Sequence, residues 1–204
     1  EQEVTGIYIS GHPLDDYRVE IEYFITCPLE EASLHQQKPQ LNLAGLVVGA
    51  RHMVSKNGNG WGIFEIRDYN GSLEFKLFGD DYQKFKHLLE EGKALFLKGN
   101  YQRGWREDSE MEFKPKEIKL LEGVGESLTD SITLRLPLET LTAERITQLD
   151  ALCKRFKGKH RLRMELVDSV NRLRLNMLAK ERKVLANNDF VAELEKLGVD
   201  YRLN

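Results

Sequence analysis

The sequence predicts a mainly β protein with additional α/β structure: a five-stranded barrel, preceded by short helices and followed by a small α/β domain. Three observations predict this fold class. Apolar and polar residues alternate along several short stretches, as they do in half-buried strands. An Asn-Gly pair at 70–71 separates two of these stretches, which is a strong signal for a β-hairpin because that turn uses positive φ. Beyond residue 130, strand patterns alternate with segments of helical periodicity.

Composition limits the classes of function. The 204 residues are 41% hydrophobic with a net charge of −3, which indicates a packed core and excludes a globally basic nucleic-acid binder. Any polyanion must therefore bind a local patch. No apolar run approaches the roughly 20 residues of a membrane helix. The only cysteines, Cys27 and Cys153, lack metal-ligand spacing and are expected to be reduced thiols of a cytosolic protein.

Residues 1–40 are predicted to be a helical lead-in and connector. This segment is acidic, with 2 Lys and Arg against 8 Asp and Glu. Gly11 and Pro13 interrupt a helical pattern, and His12 between them is expected to cap or pack at a turn, because it has no partner at metal-ligand spacing. Helical spacing then continues at Leu14, Tyr17, Ile21 and Phe24.

Residues 41–121 contain the strands of the predicted barrel. A long apolar run, Leu41–Val54, carries glycines that suit a bent strand. The hairpin strands Trp61–Asp68 and Ser72–Phe78 follow it. A short helix over 80–91 is expected next, capped by Asp80 and ended by Gly92. Two final strands are expected at 93–101 and 111–121.

This order of strand, hairpin, helix and two strands is that of the OB-fold. An OB-fold binds ligands on the face of its second and third strands and on the loops between strands one and two and strands four and five. If Phe64 and Ile66 face the core, Trp61 and Arg67 must face outward, because side chains alternate along a strand. The first loop is residues 55–60 and the second is residues 102–110.

Single-stranded nucleic acid requires cations for its phosphates and aromatic faces for its bases. The candidate nucleic-acid-binding residues are Arg51, Lys56, Trp61, Arg67, Lys76, Arg103, Trp105, Arg106, Lys114 and Lys116. Acidic residues lie among them, so a solvated charged sheet face remains an alternative: Glu65, Glu74, Glu107, Asp108 and Glu110. The sequence shows no catalytic grouping, metal-spaced cluster or phosphate loop, and we expect neither a catalytic residue, a metal nor a cofactor in this segment.

A linker is predicted at 122–130, followed by a second domain at 131–204. Its expected order is β-α-β-β-α-β, the ferredoxin-like pattern. Thr142 and Asn188 are the predicted caps of its two helices, and Gly158 and Gly198 their predicted ends. The expected strands lie at 131–138, 161–167, 172–179 and 199–203.

The second domain also carries a basic set along its predicted hairpin. Arg161 and Arg163 should share one face of a strand, and so should Arg172 and Arg174. Further basic residues are Lys159, Lys180, Arg182 and Lys183. An acidic partner, DNA or only solvent could face this set.

Two segments resemble the alpha subunit of bacterial DNA polymerase III. The stretch Gly6-Ile-Tyr-Ile-Ser-Gly-His-Pro-Leu-Asp-Asp-Tyr17 is similar to the segment just upstream of that subunit's OB domain, and Ala44–Arg51 with the hairpin resembles the OB domain itself. The resemblance implies a C-terminal region of a DNA-directed DNA polymerase, a nucleotidyltransferase of the cytoplasmic bacterial replisome. Its catalytic aspartates would lie outside this chain.

The resemblance also implies partners. The OB-fold would bind single-stranded template DNA, and the last domain would dock the tau subunit of the clamp loader within the polymerase III holoenzyme. Two alternatives stay open. The hairpin Phe64-Glu-Ile-Arg-Asp68 with Gly71 also resembles the anticodon-binding barrel of an aminoacyl-tRNA synthetase. The barrel could instead contact protein alone.

Overall fold

The computed structural model describes residues 11–104 and 110–204. The chain forms two compact units, which divide between Val124 and Gly125, and each unit is built on its own sheet. Among the described residues, no helix combines the length and the apolar character needed to cross a membrane.

The first unit is a curled antiparallel sheet with the strand order β3-β2-β1-β4-β5. Its strands are β1 (Leu41–Val54), β2 (Gly60–Arg67), β3 (Ser72–Phe78), β4 (Ala94–Arg103) and β5 (Met111–Leu120). Its helices are α1 (Arg18–Phe24) and α2 (Gly79–Phe85), with 3-10 turns at Asp15–Tyr17, Leu29–His35 and Lys86–Leu88. The predicted five-stranded OB-fold is confirmed.

Strand β1 joins the two halves of the sheet. Its first half pairs with β4 through 41–46, and its second half pairs with β2 through 46–54. The register with β2 shifts between Val47 and Gly49, where one extra residue bends the strand. The sheet curls until Phe75 of β3 and Phe113 of β5 meet edge to face, with ring centroids 5.7 Å apart. This curl encloses the core of the barrel.

The loop of the β2–β3 hairpin differs from the expected positive-φ turn. Arg67 pairs with Ser72, so four residues form the loop. Neither Asn70 nor Gly71 has a positive φ. Instead, one carboxylate oxygen of Asp68 accepts the backbone N–H groups of Asn70 and Gly71, each at 2.8 Å. The hairpin is therefore closed by an Asp side chain.

Part of the predicted connector belongs to the barrel core. Leu29 and Ala32 of the 3-10 turn are buried in the same apolar cluster as Phe64 and Ile66. The backbone N–H of Leu29 donates to Asp68 at 2.7 Å, which joins this turn to the hairpin loop. The sequence did not indicate this packing, because three Gln and two Pro residues surround the turn.

The predicted N-cap of α2 is wrong. The cap residue is Phe78, which makes no side-chain capping bond, and the helix begins at Gly79 with a φ of +55°. Asp80 lies one residue inside the helix, where its charge still favours the helix N-terminus. Gly92 has a φ of +84° and reverses the chain into β4.

The second unit has the predicted element order. It contains β6 (Ser131–Pro137), α4 (Ala143–Arg155), β7 (Lys157–Asp168), β8 (Leu173–Val184), α5 (Asn188–Lys196) and β9 (Asp200–Leu203). A short helix, α3 (Val124–Leu128), precedes them, and a 3-10 turn spans Leu138–Thr140. The strand order is β8-β7-β6-β9. Strands β6 and β7 are parallel neighbours. In the predicted ferredoxin-like pattern another strand lies between these two, so the element order is as predicted but the strand order is not.

Two details of the second unit differ from the prediction. Helix α5 is capped by Asn187, whose Oδ1 accepts the N–H of Phe190 at 3.0 Å, and Asn188 is the first helical residue. Gly158 does not end α4, because it lies inside β7, where an added Cβ would meet the backbone of Leu185 at 2.6 Å. Thr142 caps α4 as predicted.

Both cysteines are free and buried. Burial raises the pKa of the Cys27 thiol and of the Cys153 thiol above the ordinary value. Each thiol is therefore protonated at neutral pH and packs as an apolar group.

Candidate nucleic-acid interface

The outer face of β1, β2 and β3 presents its side chains in cross-strand rows. One row contains Met53, Trp61 and Phe78, and the next contains Arg51, Ile63 and Lys76. The third row contains Gly49, Glu65 and Glu74. The inner face carries Phe64, Ile66, Phe75 and Leu77, which are buried. The predicted division between inward and outward residues of the hairpin is confirmed.

Two of the three residues in the first row are aromatic. Trp61 and Phe78 are cross-strand partners, and their rings stack with centroids 5.5 Å apart and planes 14° apart. Trp61 is half-buried, whereas Phe78 is 55% exposed. The exposed surface of this stacked pair is an apolar platform on which a base can stack.

Phe78 was not among the candidate residues taken from the sequence. Two signals could have indicated it: Phe78 alternates in phase with Lys76 along the strand, and it lies opposite Trp61 across the hairpin. An exposed phenylalanine at the end of a strand is by itself common, so the register was required to join it to Trp61.

The second row supplies positive charge beside this platform. Arg51 and Lys76 lie at its two ends, with Ile63 between them. Both side chains are exposed. Among the residues that the structure describes, neither cation forms an ion pair, so both remain available to phosphate groups.

The third row is acidic, and it limits the interface. Glu65 lies 3.8 Å from Arg67 Nη2 and partly neutralises that residue. Glu74 is the cross-strand partner of Glu65. A polyanion is therefore expected to follow the first two rows and to avoid the third.

Lys114 lies on β5 near the free edge of β3. Its Nζ pairs with Glu112 at 2.6 Å. Glu112 has its pKa lowered first by the hydrogen bond from Lys114, then by the charge of Lys114, and to a smaller extent by Lys76. Lys114 is therefore already paired, and Glu112 offsets its positive charge.

The remaining candidates are more dispersed. Lys56 lies in the β1–β2 loop, which is closed by the Ser55 N–H donating to the Asn59 carbonyl. Arg103 is the last residue of β4, and its side chain is exposed. Lys116 occupies a bulge of β5 and lines a different depression of about 270 Å³ with Lys84 and Lys98. Trp105 and Arg106 lie outside the described residues, and so do Glu107 and Asp108.

His12 has the structural role expected from its position. Its Nδ1 accepts the N–H of Leu14 at 3.1 Å, and its ring lies 4.4 Å from the ring of Tyr69. Within the described part of the chain, no three His, Cys, Asp or Glu residues are grouped as metal ligands.

Two family models match this chain. The model described as the OB-fold nucleic acid binding domain matches residues 41–121. The model described as the DNA polymerase III alpha subunit, C-terminal domain, matches residues 132–204. The matched ranges cover the barrel and nearly all of the second unit.

Curated relatives are DNA polymerase III alpha subunits. The subunit of Escherichia coli O157:H7 is 40% identical over 100 residues, which are 48% of this chain and 9% of that protein. The subunit of Aquifex aeolicus is 26% identical over 200 residues, which are 98% of this chain and 17% of that protein. The subunit of Xylella fastidiosa is 30% identical over 185 residues. This chain therefore spans less than a fifth of the length of these relatives.

Solved structures with some likeness include bacterial single-stranded DNA binding proteins. That of Thermus aquaticus has a TM-score of 0.30 and 22% identity, over 49% of this chain and 62% of that chain. The second such protein of Mycobacterium smegmatis has a TM-score of 0.29 and 13% identity, over 40% of this chain and 86% of that chain. At these scores and identities, the likenesses carry no functional weight.

Proposed function

Because this chain belongs to the family of DNA polymerase III alpha subunits, whose C-terminal region it matches, we propose that its barrel binds single-stranded template DNA. In this proposal, the chain acts in DNA replication in the bacterial cytoplasm. The polymerase reaction itself is carried out by parts of the subunit outside this chain. In the same proposal, the second unit docks the tau subunit of the clamp loader.

The single observation that carries the DNA proposal is the stacked pair of Trp61 and Phe78 beside two exposed cations. The pair offers an apolar face to a base, and every base can stack on such a face. Arg51 and Lys76 lie one row away, within reach of the phosphates that flank a stacked base. A strand is thus held by stacking and by charge, without a requirement for sequence.

The weakly acidic chain is compatible with this role, because the cations are local. Phosphate binding by a few cations gives modest affinity that falls as salt rises. The acidic row of Glu65 and Glu74 beside the platform restricts the path of the strand by repulsion. The affinity of this region alone is therefore expected to be modest, with the strand guided along one direction of the face.

The test is fluorescence anisotropy of the purified chain with a labelled oligo-dT and, separately, a labelled RNA hairpin. Stacking contributes roughly 1–3 kcal/mol per base, so Trp61→Ala and Phe78→Ala should each weaken oligo-dT binding by about five- to hundredfold. Arg51→Gln and Lys76→Gln should each reduce the slope of log K against log salt by about 1. Val170→Ala, which shortens an 82% exposed apolar side chain in the second unit, is the matched control.

The same binding measurements distinguish the alternative functions. Preference for the RNA hairpin over oligo-dT would favour anticodon-type recognition. Absence of oligo-dT binding at low salt would favour contact with protein alone. Unchanged binding in both aromatic variants would remove the stacking platform from the proposal.

The docking role is tested separately. The second unit should retain purified tau in a pull-down of the whole chain, and oligo-dT binding should be unaffected by substitutions that release tau. Loss of tau binding on substitution of Trp61 alone would contradict the assignment of docking to the second unit.

A further inference from the structure

The sheet of the second unit has one face without helices. Leu134 and Met164 of the sheet, with Ile146 and Leu149 of α4, line a groove on the helical side. The opposite side chains form an open depression of about 820 Å³. Its rows are Arg202–Thr133–Arg163–Leu178, Asp200–Arg135–Glu165–Asn176 and Pro137–Val167–Arg174.

Arginine dominates this open face. Arg135, Arg163, Arg174 and Arg202 line the depression, and Glu165 and Asp200 are the acids that line it. Positive charge therefore exceeds negative charge by two. Arg163 forms no ion pair within the described part of the chain, and its side chain is exposed. We infer that this arginine face binds an extended acidic segment of a partner protein.

Glu165 shows which group the arginines are placed to bind. Its carboxylate lies 3.8 Å from Arg135 Nε and 3.9 Å from Arg174 Nη1. Both distances exceed those of hydrogen bonds, so the two guanidinium groups face a carboxylate without using their donors on it. Planar guanidinium groups bind carboxylates through two parallel hydrogen bonds. A second carboxylate can therefore bind at each of them.

The spacing of the cations matches an extended peptide. Successive rows contain Arg163 with Arg202, then Arg135, then Arg174. Rows two residues apart along a strand are separated by roughly 6.7 Å. Alternate side chains of an extended peptide have the same spacing, so an acid at every second position meets one row after another.

A single-stranded nucleic acid fits this face less well. None of the residues in the three rows is aromatic. Tyr201 also lines the depression, but it is the cross-strand partner of Leu134, and its hydroxyl donates to Glu195 of α5 at 3.4 Å. Among the described residues, this face therefore has no stacked aromatic pair like that of the barrel, on which bases could stack. The acidic peptide uses the charges without requiring an aromatic ring, which is why we assign it rather than DNA.

This inference rests on the docking role proposed for the second unit, and its test is separate from the test of that role. The probe is a fluorescein-labelled decapeptide of alternating Glu and Ser, measured by anisotropy with the whole chain, and the same peptide with Gln replacing Glu is the reference. The Glu peptide should bind more tightly than the Gln peptide, and its binding should weaken as salt rises.

Arg163→Gln and Arg135→Gln should each weaken binding of the Glu peptide by about tenfold, because each removes a charge-assisted contact. Arg163→Lys should recover only part of the loss, because an ammonium group cannot form the two-bonded pair. Lys196→Gln removes one exposed charge from α5 and should leave binding unchanged. Circular dichroism establishes that each variant is folded.

Four outcomes would overturn the inference. The first is equal binding of the Glu peptide by the Arg163→Gln, Arg135→Gln and unaltered chains. The second is loss of oligo-dT binding rather than peptide binding in these variants, which would make nucleic acid the occupant. The third is self-association that Arg163→Gln abolishes, which would make a second copy the occupant. Tau retention with no peptide binding would reject this inference and leave the docking role standing.

Discussion

The side chains of Asp15 and Tyr69 join the N-terminal segment to the hairpin loop of the barrel. The Tyr69 hydroxyl donates to Asp15 Oδ1 at 2.7 Å, and the His12 N–H donates to Asp15 Oδ2 at 2.8 Å. These two hydrogen bonds, that of Tyr69 first, hold the pKa of Asp15 below its ordinary value. The pair therefore makes a local attachment that depends on pH.

Removing the hydroxyl tests this attachment. Tyr69→Phe should raise the pKa of Asp15 toward 3.8, as followed by carboxyl NMR. A carboxyl pKa lowered in the folded state stabilises that state above the unfolded pKa, and this stabilisation is lost as pH falls through the folded pKa. The difference in unfolding free energy between the two proteins should therefore be present at neutral pH and shrink as pH falls below 3.8. An unchanged titration of Asp15 would contradict this role of Tyr69.

The sequence predicted which face of a strand a side chain occupies, but not which side chain caps a helix or closes a loop. Alternation placed Trp61 outward because Phe64 and Ile66 had to be buried. The same rule could not choose between Asn187 and Asn188 as the cap of α5, because both side chains can cap and helix starts vary by a residue. The hairpin was predicted correctly but for another reason, since Asp68 rather than positive φ closes its loop.

Among the single elements, strand β4 requires a glycine at position 99, which strand propensity does not predict. Gly99 lies at the bulge against β5, and an added Cβ would meet the carbonyl oxygen of Lys114 and the ring of Phe113. Gly49 of β1 is also a strand glycine, but an added Cβ there would meet nothing within 4 Å. These two glycines look equivalent in the sequence, and only the pairing of their strands separates them.

Alanine substitutions at Gly99 and Gly49 should have different effects on stability. Gly99→Ala should lower the free energy of unfolding by about 1–3 kcal/mol or more, because the backbone must shift to admit a methyl group. Gly49→Ala should be neutral or stabilising by up to about 1 kcal/mol, because it restricts the unfolded chain. Urea unfolding followed by circular dichroism measures both changes. Equal losses would show that the close approach to Lys114 and Phe113 does not govern the cost.

The whole molecule consists of two units, and the first includes residues that the sequence assigned to a connector. The Thr26 N–H donates to the Asn42 carbonyl at 2.8 Å, and the Asn42 N–H donates to Thr26 Oγ1 at 2.9 Å. Leu29 follows and is 1% exposed. The family match begins at residue 41, but the physical core of the barrel begins earlier. Composition misled the prediction here, since a polar segment can bury two of its side chains.

A matched pair of leucines in one 3-10 turn tests where the folding unit begins. Leu29→Ala should lower the free energy of unfolding of the barrel by about 2–5 kcal/mol, because it leaves a cavity beside Phe64 and Ile66. Leu34→Ala, in the same turn but 77% exposed, should change it by no more than about 0.5 kcal/mol. Tryptophan fluorescence during urea unfolding reports on the barrel, because both tryptophans, at positions 61 and 105, lie within residues 41–121.

The effects of the two leucine substitutions show whether residues 27–40 are a tether or a part of the barrel's folding unit. If the segment were only a tether, both alanines would have equally small effects, and a chain shortened to begin at residue 41 would unfold at the same urea concentration. Burial of Leu29 and the bond from its N–H to Asp68 predict instead that shortening lowers the midpoint and loosens the hairpin loop. Since that loop begins at the end of β2, the same loss should also weaken oligo-dT binding, although no residue of the segment lies on the platform.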